Sequence, residues 1–231
     1  MKKSFVLYCF SPAVMLATFM IEIVFAIYTL LIHGKTRGGK IIVGLLFFLS
    51  LFQLSEFMIC EDAPLMIWSR IGFVAITMLP PLGIHLVGIL TKRKHLVIPS
   101  YIFGGFFILL FSFVNGAIQG GTCTGNYLVL HTSEVWGIPY TFFYLGLLIY
   151  ATGEAIQGRY RASHLDKETK QILGWIITGY LAFMVPMAVV YAINESSHAG
   201  LPSIMCGFAL LLAFTLALKT APLYDRYKKL S

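Results

Sequence analysis

The chain has 231 residues, of which 58% are hydrophobic and 12% charged, with a mean hydropathy of +0.82. So little polar surface cannot cover a soluble globule of this size. The composition therefore places the protein in a membrane and excludes a separate soluble catalytic, kinase or nucleic-acid-binding domain, and the net charge of +7 describes basic loops beside a bilayer.

A spanning helix takes roughly 20 apolar residues, and such runs occur at about 9–32, 41–60, 66–90, 96–115, 136–157, 171–193 and 201–219. They predict an all-α integral membrane protein, a seven-transmembrane helix bundle with a short tail over 220–231. Fourteen of the seventeen basic residues follow helices one, three, five and seven, from Lys35 to Lys40, Lys92 to Lys94, Arg159 to Lys170 and Lys219 to Lys229. The opposite side has Lys2, Lys3 and Arg70 with Glu61, Asp62, Glu134 and Glu195. By the positive-inside rule the amino terminus is expected outside and the carboxyl terminus in the cytoplasm.

The opening MKKSFVLYCF has the look of a signal peptide, but no small-residue cleavage site follows and the apolar run continues to Leu31, so helix one is read as uncleaved. It carries Glu22 near its middle. A carboxylate at that depth costs about 3 kcal/mol on insertion scales; it is expected to be neutral and bonded within the bundle, or to mark a ligand or proton site. Helix two adds Gln53 and Glu56 in its outer half, and the i, i+3 spacing puts them on one face.

Helix three, LMIWSRIGFVAITMLPPLGIHLVGIL, bears the most marks and is expected to be central. Its outer end has Trp68 and Arg70, its middle Pro80 and Pro81, and His85 follows one turn later. Two expectations compete for Arg70: an ion pair with Glu56 across the short EDAPLMIW connection, or snorkelling to the outer interface beside Trp68. The proline pair removes two amide donors and predicts a helix break with freed carbonyls. His85 is expected to be a hydrogen-bonded packing residue, with sensing or proton transfer as the sharper alternative.

Helix four has no formal charge, and phenylalanines on more than one face predict the most lipid-exposed helix. The alternation in NYLVLHT, within the long connection after it, predicts a short strand or hairpin covering the bundle. Helix five presents Tyr140 and Tyr144 at i, i+4, and Asp166 and Glu168 suit the start of helix six. Helix six has its own expected break at Pro186. Helix seven has no lysine before Lys219, which excludes a mid-membrane Schiff base. In the tail, Leu223, Tyr227 and Leu230 suit an interfacial helical stub or the beginning of a longer helix.

Cysteines stand at Cys9, Cys60, Cys123 and Cys206. Cys60 with Cys123 is the most credible disulfide, since both border outer loops, with small packing cysteines as the alternative. No metal site is expected: His85 alone is read as intramembrane, with His33, His95 and His164 cytoplasmic and His131 and His198 outside. Asn194 with Ser196 forms a glycosylation sequon.

The run WSRIGFVAITMLPPLGIHLVGILTK in helix three, KETKQILGWIITGYLAFMVPMAVVYAI in helix six and AGLPSIMCGFALLLAFTLALKTAPL at the end resemble the seven-helix amino-terminal membrane region of bacterial sensor histidine kinases. The resemblance covers nearly the whole chain, although no kinase or ATP-binding domain lies within it. It implies an outside amino terminus, a bacterial cytoplasmic membrane and a cytoplasmic end that feeds a signalling helix.

Three functions follow as expectations. The first is a stand-alone, non-enzymatic sensory or receptor-like module, without a cofactor, taking a small ligand in the outer half and signalling to a cytoplasmic or membrane partner by helix shift. The second is a small-molecule transporter, favoured by buried carboxylates and broken helices. A structural or partner-assembling membrane protein is what remains if the core holds no cavity, and an intramembrane enzyme is expected least, because no nucleophile and base pair or metal cluster can be assembled by depth.

Overall fold

The computed structural model describes residues 11–123, 128–163, 165–193 and 201–230. The expectations concerning Lys2, Lys3, Cys9, His164, the sequon at Asn194 and His198 fall outside the described residues. In chain order the elements are α1 (Pro12–His33), α2 (Arg37–Cys60), α3 (Leu65–Thr91), α4 (Val97–Phe113), β1 (Ile118–Cys123), β2 (Leu128–Thr132), α5 (Glu134–Tyr160), α6 (Lys167–Ile193), α7 (Leu201–Thr215), a π-helical turn over Leu216–Thr220, and α8 (Ala221–Leu230). Among the described residues, six helical stretches are long and apolar enough to cross a membrane, which makes this an all-α membrane bundle. α4, at 17 residues, is shorter than the roughly 20 that a straight crossing requires.

Local chemistry sets the helix starts. Pro12 occupies the first turn of α1, where a missing amide costs nothing. Thr36 caps α2, its hydroxyl accepting the Gly39 amide at 3.1 Å. Asp166 does the same for α6, its carboxylate accepting the Thr169 amide at 2.6 Å.

α3 is the centre of the bundle. Seventeen of its 27 residues are buried, and it packs against α2, α4, α5, α6 and β1. An aromatic cluster holds it to α4 and α5: Phe73 stacks on Phe111 with centroids 4.5 Å apart, Tyr140 meets Phe107 and Phe111 edge-on, and the Tyr140 hydroxyl shares a 3.0 Å hydrogen bond with Thr77 Oγ1.

The prolines do not break their helices. α3 runs as one α-helix through Pro80 and Pro81, and α6 through Pro186. A neighbouring helix closes over the defect in α3: a Cβ on Gly104 of α4 would stand 3.3 Å from Pro81 Cγ and 3.9 Å from the Thr77 carbonyl that Pro81 leaves without its helical donor. The glycine allows the backbone of α4 to cover ring and carbonyl together, as membrane helices with internal proline require.

α4 is also not distinctively exposed. It buries five of its 17 residues and α1 six of its 22, because Phe107, Leu110 and Phe111 turn inward while Ile98, Ile102, Phe103 and Phe113 face out.

β1 and β2 pair antiparallel, from Ile118 with Thr132 to Cys123 with Leu128, with a bulge after Ile118 where Gly120 adopts φ +127°. This hairpin packs on α2, α3 and α7. A disulfide joins Cys60, the last residue of α2, to Cys123, the last of β1, with Cα atoms 5.4 Å apart, so one end of the bundle is closed by a covalently tethered cover. The opposite end carries the basic loops.

The residues expected to form a tail continue the seventh helix. At the π turn the Ala221 amide donates to the Leu216 carbonyl, five residues back, and α8 follows directly. The side chains there are small and buried, Ala217 and Thr220 at 0% and Ala221 at 1% exposure, which lets the widened turn lie against its neighbours and carry the helix onward.

Candidate functional site

The polar groups of α1 define the most unusual surface in the bundle. Its buried residues are Met15, Thr18, Glu22, Ala26, Thr29 and His33, and four of the six are polar. Steps of four, seven and four place Thr18, Glu22, Thr29 and His33 on one stripe of a 3.6-residue helix. The remaining circumference is apolar, with Met20, Val24, Ile27 and Leu31 exposed. A helix that gives lipid its hydrophobic faces and the protein its polar one is held by particular contacts rather than by a greasy interface.

Glu22 is fully buried, and among the described residues neither carboxyl oxygen has a hydrogen-bond partner. The same holds for Thr29 Oγ1 on α1, Gln53 Nε2 on α2 and Thr220 Oγ1 in the π turn. α1 packs along α2, α7, the π turn and α8. Gln53 and Glu56 are 2% and 1% exposed, and Glu56 is close enough to Glu22 for the two carboxyls to interact electrostatically. Gln53 stands one turn from Glu56 on the same buried side of α2. The buried Glu22 carboxyl can take up a proton or a polar ligand, because a polar group without a partner at this depth is costly and marks functional positions in membrane helices.

Arg70 lies on α3 near the hairpin end, half-buried, with Nε buried and unpartnered among the described residues. His85 is elsewhere. Its Nδ1 lies 3.1 Å from the Tyr101 hydroxyl on α4, and its Nε2 lies 3.4 Å from an Arg37 nitrogen at the start of α2. Arginine only donates, so Nε2 accepts, the ring proton sits on Nδ1, and His85 donates to Tyr101. The expected packing role is visible here as a bridge between α2, α3 and α4.

The basic end holds contacts that the sequence reading did not anticipate. His33, expected on the cytoplasmic side, is the last residue of α1 and is 7% exposed. Its Nδ1 lies 3.5 Å from Asp225 Oδ2 on α8. Tyr224, 2% exposed, lays its ring where Gly38 of α2 has no side chain: a Cβ there would stand 2.6 Å from the ring. α8 also packs on α6, where Tyr227 lies beside Asp166 at the helix start. Desolvation pushes the Asp166 carboxyl up, but hydrogen bonding, from Thr169 first, outweighs it and leaves it below its ordinary value. α8 is therefore seated on α1, α2 and α6 by Asp225, Tyr224 and Tyr227. Of these contacts only the burial of His33 had a signal in the sequence, the Thr18–Glu22–Thr29–His33 spacing that continues the inward face of α1.

Between α3 and α5 at the same end, Arg93 Nη1 donates to Glu154 at 3.2 Å and also bonds Gln157, while Tyr150 shares a 2.9 Å hydrogen bond with His95. At the bundle centre, Leu45, Leu79, Tyr144, Tyr180, Ala209 and Leu216, among others, enclose an apolar cavity of about 30 Å³, the room of roughly one water molecule. It touches none of Glu22, Gln53, Glu56, Arg70 or His85. Ligand pockets for organic molecules run to several hundred Å³, roughly 300 or more, so a ligand at the centre would require the helices to part. Among the described residues, no three His, Cys, Asp or Glu side chains gather into a metal-binding group.

No protein-family model matches this chain, and comparison with curated proteins gave no match.

Proposed function

We propose that this chain is a non-enzymatic sensory or receptor-like membrane module that signals to a partner through a shift of its helices. The observation that carries this reading is the course of the seventh helix. It passes the π turn, a feature common at functional sites, and continues into α8, which three side chains seat on α1, α2 and α6. A rearrangement in the bundle therefore has a continuous helix by which to reach the basic end. The charge distribution supports an orientation with the amino terminus outside and α8 at the cytoplasmic surface. The resemblance to the membrane regions of bacterial sensor histidine kinases supports the same orientation, seven crossings with α4 included, and a bacterial cytoplasmic membrane.

Coupling is testable in lipid nanodiscs with spin labels at the exposed positions Lys167 and Arg226. Ala209→Leu overfills the central cavity at the level where α7 packs, and the expected result is a displaced label-to-label distance by pulsed electron resonance. An unchanged distance would mean that α8 does not follow the bundle, and the sensory reading would fall. Signalling also requires a partner, for which a photoreactive side chain at Arg226 is expected to give one discrete protein adduct in cells and none when α8 is deleted.

A transporter is the second reading, favoured by Glu22, a fully buried carboxyl without a hydrogen-bond partner among the described residues. Solute uptake by reconstituted vesicles that is lost in Glu22→Gln would decide for it.

A further inference from the structure

Between α3 and α5 at the basic end, the contact of Arg93 with Glu154 forms one wall of an open groove. Arg93 makes its side-chain bonds through Nη1 alone, to Glu154 and Gln157, so Nη2 and Nε donate to nothing among the described residues, and the side chain is 47% exposed. Arg161 is exposed just beyond α5, and its guanidinium has neither a hydrogen bond nor an ion pair among the described residues. A space of about 200 Å³ is lined by both arginines with Glu154, Gln157 and Ser163, and through Glu154, Gln157 and Arg161 it joins a wider one of about 390 Å³ beside Gly153, Ile156 and Tyr160. The wider space alone exceeds the roughly 300 Å³ at which pockets take organic groups. The other charged groups of this end are engaged elsewhere or stand apart. Arg159 donates to the Lys170 carbonyl at 2.9 Å and lies over the Tyr160 ring, Lys94 acts on His85 together with Arg37, and His95 is bonded to Tyr150. Lys92, Asp166, Lys167, Glu168 and Lys170 line neither space. The groove thus sets two arginines against one glutamate, with one positive charge in excess.

The surface that the groove opens onto selects the class of anion. Gly146, Ile149, Gly153, Ile156 and Tyr160 follow one another in steps of three and four along one exposed stripe of α5, a helix long and apolar enough to cross the membrane. A Cβ on Gly146 or Gly153 would meet nothing within 4 Å, so the stripe has a notch where those side chains are missing, running about 10 Å along the helix and into the groove at Gly153. Tyr160, 72% exposed, ends the stripe as a tyrosine does at headgroup level. We propose that the groove is a binding site for an anionic phospholipid, whose phosphate is held by the free donors of Arg93 and Arg161 and whose acyl chain lies along the Gly146–Gly153 notch. Arginine presents its donors in a planar fork suited to phosphate oxygens, and basic pockets between spanning helices take such headgroups. A soluble anion would use the arginines and leave the notch idle. The site does not rest on the sensory reading and holds equally for a transporter.

Native mass spectrometry of the full chain in detergent, titrated with phosphatidylglycerol or with phosphatidylcholine, tests this. One phosphatidylglycerol is expected to bind per chain, and Arg93→Gln and Arg161→Gln are each expected to weaken it about fivefold, the effect of one basic side chain on an anionic lipid. Gly153→Leu, which fills the notch and keeps both arginines, is expected to weaken it as well, whereas Lys40→Gln, at the same end but away from the groove, leaves it unchanged. Equal binding of the two lipids overturns the proposal, as does unaltered binding in the arginine variants; if Arg93→Gln does not fold, Arg161→Gln, at an exposed position, decides. An equal loss in Lys40→Gln would show a diffuse attraction to the basic surface and overturn it too. Displacement of the lipid by inorganic phosphate at the same concentration, or full binding in Gly153→Leu, would assign the groove to a soluble anion and overturn the lipid site. Each of these results leaves the sensory reading to the label distances in Ala209→Leu.

Discussion

α1 and α3 are both apolar helices of membrane length, yet they are held in opposite ways. α3 buries seventeen of 27 residues, of which only Ser69, Thr77 and Thr91 are polar, and its neighbours close even over its two prolines. α1 buries six of 22, and four of those six are polar. In lipid, exposure gives no reason for a residue to be polar, so a helix touching its neighbours along one narrow stripe reveals that stripe by its polar side chains. Shape complementarity anchors α3, and a few specific groups anchor α1, of which Glu22 and His33 are the ones able to change charge.

The sharpest way to break this contrast is to cut into the aromatic core of α3. Phe73→Ala is expected to cost about 3–5 kcal/mol, read as loss of helical circular dichroism on heating in detergent; a loss below about 1 kcal/mol would mean that the cluster with Phe111 and Tyr140 is not what fixes α3. The tethered hairpin comes next, with Cys60→Ser and Cys123→Ser each expected to lose about 2–4 kcal/mol, and reduction of the parent protein reproducing the effect. α1 should respond with the opposite sign. Glu22→Leu, which removes orphaned oxygens and fills the space with methyl groups, is expected to stabilise by about 1–3 kcal/mol, whereas a comparable loss would show that the carboxyl has partners in the lipid-embedded protein.

The smallest effect lies at the seat of α8. Asp166→Ala removes the cap of α6 and the group beside Tyr227, and about 1 kcal/mol is expected. The pH dependence has a definite sign: a carboxyl lowered in the fold stabilises fully above its ordinary titration range and loses that contribution as the pH falls through its folded value. Acid unfolding of Asp166→Ala should accordingly be shallower than that of the parent protein, and an identical acid limb would mean that the Thr169 bond does not hold the carboxyl low.

Much of this was legible because single residues carried it. Length and apolarity identified the helices, the alternation in NYLVLHT marked the hairpin, and Asp166 and Glu168 marked the start of α6. At Pro80 and Pro81 the sequence states only which carbonyl is left unbonded; that Gly104, twenty-three residues later, would cover it depended on how α4 packs. His33 was read only as cytoplasmic because the apolar run ends before it, although the polar spacing on α1 continues through it. The seat of α8 was not legible, since Gly38 and Tyr224 are almost the whole chain apart and neither has a pattern that names the other.

By itself, then, the sequence determined what the solvent dictates: a chain this apolar must lie in a bilayer, and each long apolar run must satisfy its own backbone as helix. Only the tertiary structure decided which of these helices is central, which polar groups meet and how the last helix is seated. Those outcomes depend on side chains far apart in the chain arriving at the same depth and azimuth, and hydrophobicity, nearly uniform along this chain, does not encode them.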